Sequence, residues 1–360
     1  MDSLLDLYSD YLLGSFGRVS SVNLSAVLEG SISHDKITRF LSFDRDCSKD
    51  LWKCVKPLVR SYETAEGCLI FDDTIIDKPY SSESDLINWH WDHSQGRSVK
   101  GINLLTCFYH TFPQNLEAPL RIPISYKTIL KTVHYTDSKT GKKKRKSPIT
   151  KNELLCDMFR QSLRKCIKFK YVLADSWFSS TENMLLIHKK KKFFIFDMKQ
   201  NRQAVLSQTD RNQGNWKAIN TLDIADNTPV KVWLKGLEIP VLLIKQVFRN
   251  KDGSTGTRFL VSNDLTLSNT QFENTYKRRW SVEEYHKSLK QNTAIAKSPT
   301  RTVKTQSNHI FCSIIAYIKL EKLKLKTKLN HFAMKTKIQI TATQEAMKKL
   351  QELTQFNYTA

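Results

Sequence analysis

The chain has 360 residues, enough to bury a sizeable core as one large domain or as two to three smaller ones. Its 57 Lys and Arg outnumber 35 Asp and Glu, a formal net charge of +22, which points to a polyanionic partner, nucleic acid first. An anionic membrane is the rival, but no stretch reaches the ~18 apolar residues of a span, and no long Lys-rich amphipathic helix stands near a terminus. The opening MDSLLDLYSDYLL lacks the basic start of a signal peptide. Seven scattered cysteines (Cys47, Cys54, Cys68, Cys107, Cys156, Cys166 and Cys312) form no C-x-x-C pair. They read as reduced thiols of a cytosolic protein and argue against a zinc finger.

Residues 1–65 read as a self-contained helical region. LSAVLEG (24–30) ends on Gly30, and Ser33 offers an N-cap to HDKITRFLSF. The pair resembles a helix-turn-helix whose second helix carries His34, Lys36 and Arg39, with a plain helical hairpin as the alternative. WKCVKPLVRSYE (52–63) continues the helical pattern until Pro57 interrupts it. GCLIFDDTII (67–76) switches to a buried central strand with Asp72 and Asp73 at or near its C-terminal end. An acid inside a buried strand is costly unless it is paired or bound to metal. Residues 81–99 read as a polar, aromatic loop. Its His90, Asp92 and His93 lack the fourth ligand and tight pattern of a structural zinc, so loop structure or DNA contact is preferred. GINLLTCFYHTF (101–112) and LRIPISYKT (120–128) extend an antiparallel meander. KTGKKKRK (139–146), with six cations in eight residues, reads as an exposed loop that would suit a phosphate backbone.

ITKNELLCDMFRQSLRKC (149–166) is an amphipathic helix, and YVLA (171–174) is a short buried strand with Asp175 just past its end. Ligand sites cluster at such strand tips, although Asp175 alternatively caps the helix that begins near Thr181. KKKKFFIFDMK (189–199) is another strand. VKVWLKG, EIPVLLIKQVF and TRFLVSN make residues 200–265 a β-rich insertion. Then comes one helix, TQFENTYKRRWSVEEYHKSLKQ (270–291). At about 100° per residue, Tyr276, Arg279, Glu283, Lys287 and Lys290 share one stripe, opposite Val282, Tyr285 and Leu289. HIFCSIIAYIKLEKLKLKTKL (309–329) is a long helix that either closes the core or supplies an interface. The tail to Ala360 is basic and partly helical. The domain reading is a helical DNA-binding region over 1–65, a catalytic core over 66–199 and 266–330, the insertion over 200–265, and a basic tail over 331–360.

Asp73 with Asp72, Asp175 and Glu283 stand roughly a hundred residues apart in turn. The order of elements is that of an RNase H-like α/β fold. It predicts a mixed sheet flanked by helices, a β-rich insertion before the last catalytic helix and a helical N-terminal region. The pattern Y-x2-R-x3-E-x6-K, spelled Tyr276, Arg279, Glu283 and Lys290, resembles the YREK signature of bacterial insertion-sequence DDE transposases of the cut-and-paste group. FDDT (71–74) and ADSWF (174–178) resemble that family's first and second aspartate strands. The resemblance covers roughly residues 67–320.

That resemblance implies a triad of Asp73, Asp175 and Glu283 holding two Mg2+ ions, with Mn2+ as a substitute. Asp73 is chosen over Asp72 because it precedes Thr74, and strand alternation lets only one of them face the site. Glu283 is chosen over Glu284 because it lies on the Arg279–Lys290 stripe. Arg279, Lys287 and Lys290 would grip the DNA backbone, and the Tyr276 hydroxyl would contact a phosphate. Trp233 and Trp216 are the candidates to stack on a flipped base, with ordinary core or surface burial as the alternative for each. The implied activity is cleavage of double-stranded DNA at an element's terminal inverted repeats and strand transfer into target DNA. A homodimer would synapse the two ends, in the bacterial cytoplasm at the nucleoid. The alternatives are an RNase H-like nuclease without transposition, and an inactive or domesticated relative that only binds DNA.

Overall fold

The computed structural model describes residues 3–92, 95–250 and 252–356, with side chains to residue 354, and His93 lies outside them. Helices α1 (Ser3–Gly14), α2 (Ser21–Val27), α3 (His34–Ser42) and α4 (Cys47–Tyr62) come first. Strands β1 (Cys68–Asp77), β2 (Asn88–Asp92), β3 (Arg97–Thr111) and β4 (Leu120–Thr128) follow, then a hairpin of β5 (Val133–Thr136) and β6 (Lys143–Lys146). Next are α5 (Lys151–Arg164), β7 (Tyr171–Ala174), α6 (Thr181–Lys189), β8 (Phe193–Met198), β9 (Gln203–Val205), α7 (Gln208–Gln213) and β10 (Lys217–Ala218). The chain ends with β11 (Val230–Leu234), β12 (Pro240–Arg249), β13 (Thr255–Ser262), α8 (Asn269–Lys277), α9 (Trp280–Asn292), α10 (Val303–Thr327) and α11 (His331–Phe356). This is a mixed α/β fold of the RNase H-like kind, a large mixed sheet with flanking helices and a helical N-terminal region. No described helix is long and apolar enough to cross a membrane, and no disulfide joins any of the seven cysteines.

Two units account for the chain. One comprises Leu58–Thr74 and Leu104–Glu283. Its strands run in the order β10-β9-β11-β12-β13-β8-β7-β1-β3, with β4 also on β3. β1, β7 and β8 are parallel neighbours, and β13 joins β8 antiparallel, so residues 200–265 extend the same sheet instead of forming a separate one. The central strands are almost wholly apolar and buried (Leu69, Ile70, Phe71, Val172, Leu173, Phe194, Ile195). That is the pattern of strands covered on both faces.

The other unit comprises Met1–Pro57, Ile75–Asn103 and Glu284–Ala360. Here α10 is the central element: Ile310, Phe311, Ile314, Ile315 and Ile318 are all buried, and it packs on α1 and α3. It thus closes the core of this unit, one of the two roles open to it. His309 is fully enclosed, and burial pushes its imidazole down to about 3. Nε2 lies 3.2 Å from the Ala294 and Ile295 carbonyls, so it carries the proton, and Nδ1 accepts from the Tyr8 hydroxyl at 3.1 Å. Ser33 caps α3 by accepting from the Lys36 amide, which leaves His34, Lys36 and Arg39 exposed above buried Ile37, Phe40 and Leu41. The basic tail is one long helix, α11, exposed from Gln339 onward.

Four expectations need correction. The helix expected over 270–291 is two: α8 and α9 meet at Arg278 and Arg279, where i→i+3 bonds (Arg279 to Tyr276 at 2.9 Å, Val282 to Arg279 at 3.0 Å) tighten the coil. Pro57 does not interrupt α4, because the buried stripe Leu51, Val55, Val59 runs past it and packing outweighs one lost hydrogen bond. Residues 88–92, read as loop, pair antiparallel with Arg97–Gly101, and their period-2 pattern buries His90 while exposing Trp89 and Trp91. The KTGKKKRK loop supplies a strand of a separate two-stranded sheet.

Gly101 on β3 has no room for a side chain, since a Cβ there would lie 2.4 Å from the Ile76 carbonyl oxygen. Backbone, not a flexible side chain, would have to move. Gly101→Ala is expected to lower unfolding free energy by about 1–3 kcal/mol in urea titrations. An unchanged midpoint would show that the strands separate freely there.

Candidate active site

The site begins with strand register. β1 and β7 pair Cys68 with Tyr171 through Phe71 with Ala174, and β7 and β8 pair Tyr171 with Phe193 through Ala174 with Phe196. The residues that follow these last pairs are Asp72 on β1, Asp175 just past the end of β7, and Asp197 on β8. Alternation puts Asp72 and Asp73 on opposite faces of β1. The charges that act on Asp175, just past the end of β7, include Asp73 and Lys151, and those that act on Asp72 include Glu283 and Asp175. β7 stops at Ala174 while β1 runs on to Asp77. The two aspartates of β1 are therefore mid-strand, not at its C-terminal end as expected. They are nevertheless level with the point where the neighbouring strand ends.

Asp72 is buried. Its Oδ1 accepts from the Asp73 amide at 2.9 Å, and Arg279 Nη1 donates to its Oδ2 and to Glu283 Oε1, both at 3.4 Å. Asp72 and Glu283 offer carboxylate oxygens within 4.8 Å of each other. Burial, then the charge of Glu283, raises the Asp72 carboxyl well above the ordinary range, with Arg279 pulling it back. Burial also raises Asp175, whose Oδ1 accepts from the Trp177 amide at 2.9 Å. That bond caps a single turn, Ser176–Phe178, whereas α6 is capped by Ser180. Asp175 is thus not the cap of the following helix. Asp197 is raised by burial as well, with Arg258 opposing. Asp73 is held differently: Lys151, at the start of α5, donates to both its oxygens at 2.9 and 2.8 Å.

Five carboxylates (Asp72, Asp73, Asp175, Asp197, Glu283) thus act on one another beside three cations (Lys151, Arg258, Arg279). When all are ionised, two negative charges are uncompensated. Hard oxygen donors, crowding that lifts proton affinity and a surplus of two charges together fit a divalent cation of the magnesium type.

The structure places the remaining expected residues unevenly. Tyr276 is 4% exposed, and its hydroxyl donates to the Ala174 carbonyl at 3.4 Å. It ties α8 to the residue before Asp175 and is not open to a phosphate. Lys287 and Lys290 are exposed on α9, one and two turns after Glu283. Glu284 is exposed and lies off the face that meets Asp72. Trp233 sits on β11, four strands from β7, about 19 Å across the sheet. Trp216 immediately precedes β10, which lies two strands further from β7 than β11 does. The tryptophan that belongs to this neighbourhood is Trp177, within the ADSWF segment itself. It is 49% exposed, with Lys151 and Lys199 at 5.2 and 5.6 Å over its ring, and it lines a cavity of about 450 Å3 with Lys199, Arg202 and Lys235. Asp197 and Lys151 also escaped the sequence reading. FFIFDM offered a signal for the first, an acid in a buried strand.

The raised Asp72 carboxyl sets a pH dependence. A group whose folded value is raised contributes stability that is fully present below the ordinary carboxylate range and is lost as pH rises through the raised value. Asp72→Asn is therefore expected to melt higher than wild type at neutral pH without divalent metal, and the difference should vanish near pH 3. A lower melting temperature at neutral pH would show that the Arg279 pair outweighs the crowding.

Comparison with known families agrees with this geometry. A family model described as DDE superfamily endonuclease matches residues 2–215, and one described as transposase DDE domain matches residues 126–319. No curated protein matches the chain. Both families denote nuclease-type enzymes of the transposase kind acting on DNA, for which divalent metal use is implied. The chain belongs to the DDE transposase family.

Proposed function

We propose that the protein is an active transposase of the bacterial insertion-sequence group with the Tyr–Arg–Glu–Lys signature. It binds the terminal inverted repeats of its element, cleaves DNA there and joins the freed strands to target DNA. The observation that carries this reading is the meeting of Asp72 and Glu283 with Arg279 bonded to both, beside Asp175 past the end of the neighbouring strand. The metal ligands in this reading are Asp72, Asp175 and Glu283. This reading takes Asp72 in place of Asp73 because Asp72 meets Glu283, whereas Asp73 is paired with Lys151. Magnesium held there would activate the attacking oxygen and stabilise the leaving oxygen of an in-line displacement at phosphorus.

The chain's own residues do the rest. Arg279 bridges Asp72 and Glu283 and keeps both carboxylates turned inward. Tyr276 fixes the end of β7 from within. Lys287 and Lys290, exposed on the same helix, are available to DNA phosphates. His34, Lys36 and Arg39 on α3 are the corresponding set for recognition of the element ends. Two ends must be held together, so the working form is a homodimer, at the nucleoid of a bacterial cell.

The test is cleavage of a supercoiled plasmid carrying the element ends, with Mg2+, Mn2+ or EDTA. Glu283→Gln and Asp72→Asn should bind the ends like wild type but cut at least about 10³-fold more slowly, the loss of several kcal/mol of transition-state stabilisation. Asp73→Asn should retain clearly more activity than Asp72→Asn. Metal-dependent nicking without regard to the ends would make the protein a general nuclease. Binding with no cutting under any metal would leave a DNA-binding relative.

A further inference from the structure

The hairpin of β5 and β6 belongs to neither the large sheet nor any helical layer; it is a two-stranded sheet of its own. Its register pairs Val133 with Lys146, His134 with Arg145, Tyr135 with Lys144 and Thr136 with Lys143. Paired residues share a face, so Lys144 and Lys146 lie on one side and Lys143 and Arg145 on the other. A hairpin built to pack on protein would carry one apolar face. This one is cationic on both, and Lys142, Lys143, Lys144 and Lys146 are all exposed.

Isolated two-stranded hairpins are marginal in water, yet this one has an organised tip. The Asp137 carboxylate accepts from the Lys139 and Thr140 amides at 3.1 and 2.8 Å, from the Thr140 hydroxyl at 2.9 Å and from Lys144 Nζ at 2.6 Å. Gly141, at φ +65°, closes the turn with a 2.8 Å bond to the Asp137 carbonyl. Lys146 stands over the Tyr135 ring at 5.6 Å. The cations are thus presented on a pre-shaped ribbon.

Position narrows the partner. Only four residues lie between Lys146 and Lys151, so the base of the hairpin is within about 18 Å of the backbone of Lys151, whose side chain reaches Asp73. The major groove of B-DNA, ~12 Å wide, admits a two-stranded ribbon and is walled by phosphates on both sides. A ribbon charged on both faces matches that groove better than a flat surface.

We infer that the β5–β6 hairpin is a DNA-binding arm that enters the major groove of the duplex beside the scissile phosphate, with Lys142, Lys143, Arg145 and Lys146 on the two phosphate walls. This rests on the nuclease reading of the acid site and adds a surface to it.

A variant with Lys142, Lys143, Arg145 and Lys146 all changed to Gln spares the Asp137–Lys144 staple. Its affinity for a 30-base-pair duplex should fall at least about tenfold near 0.1 M salt, and the slope of log K against log salt should shrink by about two to four, at ~0.9 per phosphate contact. Its melting shift with Mg2+ should match wild type, showing the acid site intact. A second measurement needs no variant: acetylation of Lys142, Lys143 and Lys146 in the wild-type protein should be suppressed by duplex and not by polyglutamate at equal ionic strength. An unchanged salt slope with intact binding, or equal protection by polyglutamate, overturns the arm and leaves the nuclease reading standing. Failure of the wild type to bind any duplex overturns both.

Discussion

Carboxylates do not collect in a protein interior without something to hold them there. Each charged acid taken from water costs several kcal/mol, and each like neighbour adds to that cost. Here the counterweight inside the protein is Arg279, whose guanidinium reaches Asp72 and Glu283 at 3.4 Å each. It satisfies two acids, Lys151 a third and Arg258 opposes the charge on a fourth. The charge balance is short: when all five acids are ionised two negative charges remain, a deficit that a divalent ion would complete.

The fold serves that arrangement by ending one strand early. β7 is four residues long, flanked by the longer β1 and β8. Where it stops, the chain enters the turn Ser176–Phe178, with Asp175 as its first residue. The Tyr276 hydroxyl on the Ala174 carbonyl and the Asp175 carboxylate on the Trp177 amide fix that turn from both sides. The α8–α9 junction then delivers Arg279 and Glu283 four residues apart, on one side of a helix, to these acids. A smooth helix and the tightened one observed would place the Arg279 side chain differently, which is why the i→i+3 turn at Arg278 and Arg279 belongs to the design of the site.

Much of this was legible in the sequence because it depends on periodicity and composition. Buried strands with embedded acids, the stripe on the acidic helix, the N-cap at Ser33 and the β-rich stretch before α8 all follow from local pattern. What depended on pairing was not legible. Which of Asp72 and Asp73 meets Glu283 and which meets Lys151 depends on how β1 sits in the fold, and a one-residue shift would reverse the answer. Tyr276 read as a wet residue from the wheel, yet the sheet end covers it. Trp233 and Trp216 were the candidates because the resemblance pointed to the insertion, Trp177 was not considered, and only the strand order reveals how far β11 lies from β7. KKRK read as loop because charge is not a strand signal, while its partner VHYT and the Asp137 turn make it a hairpin.

The central claim is that the acid cluster containing Asp72 binds divalent metal in place of missing positive charge. Calorimetric titration with Mn2+ at neutral pH, on wild type, Asp72→Asn and Asp73→Asn, tests it most directly. The account predicts tight binding by wild type, loss of at least one ion's binding in Asp72→Asn and its retention in Asp73→Asn. Equal binding by wild type and Asp72→Asn would contradict it. In that case the carboxylates are held by Arg279 and Lys151 for structure alone.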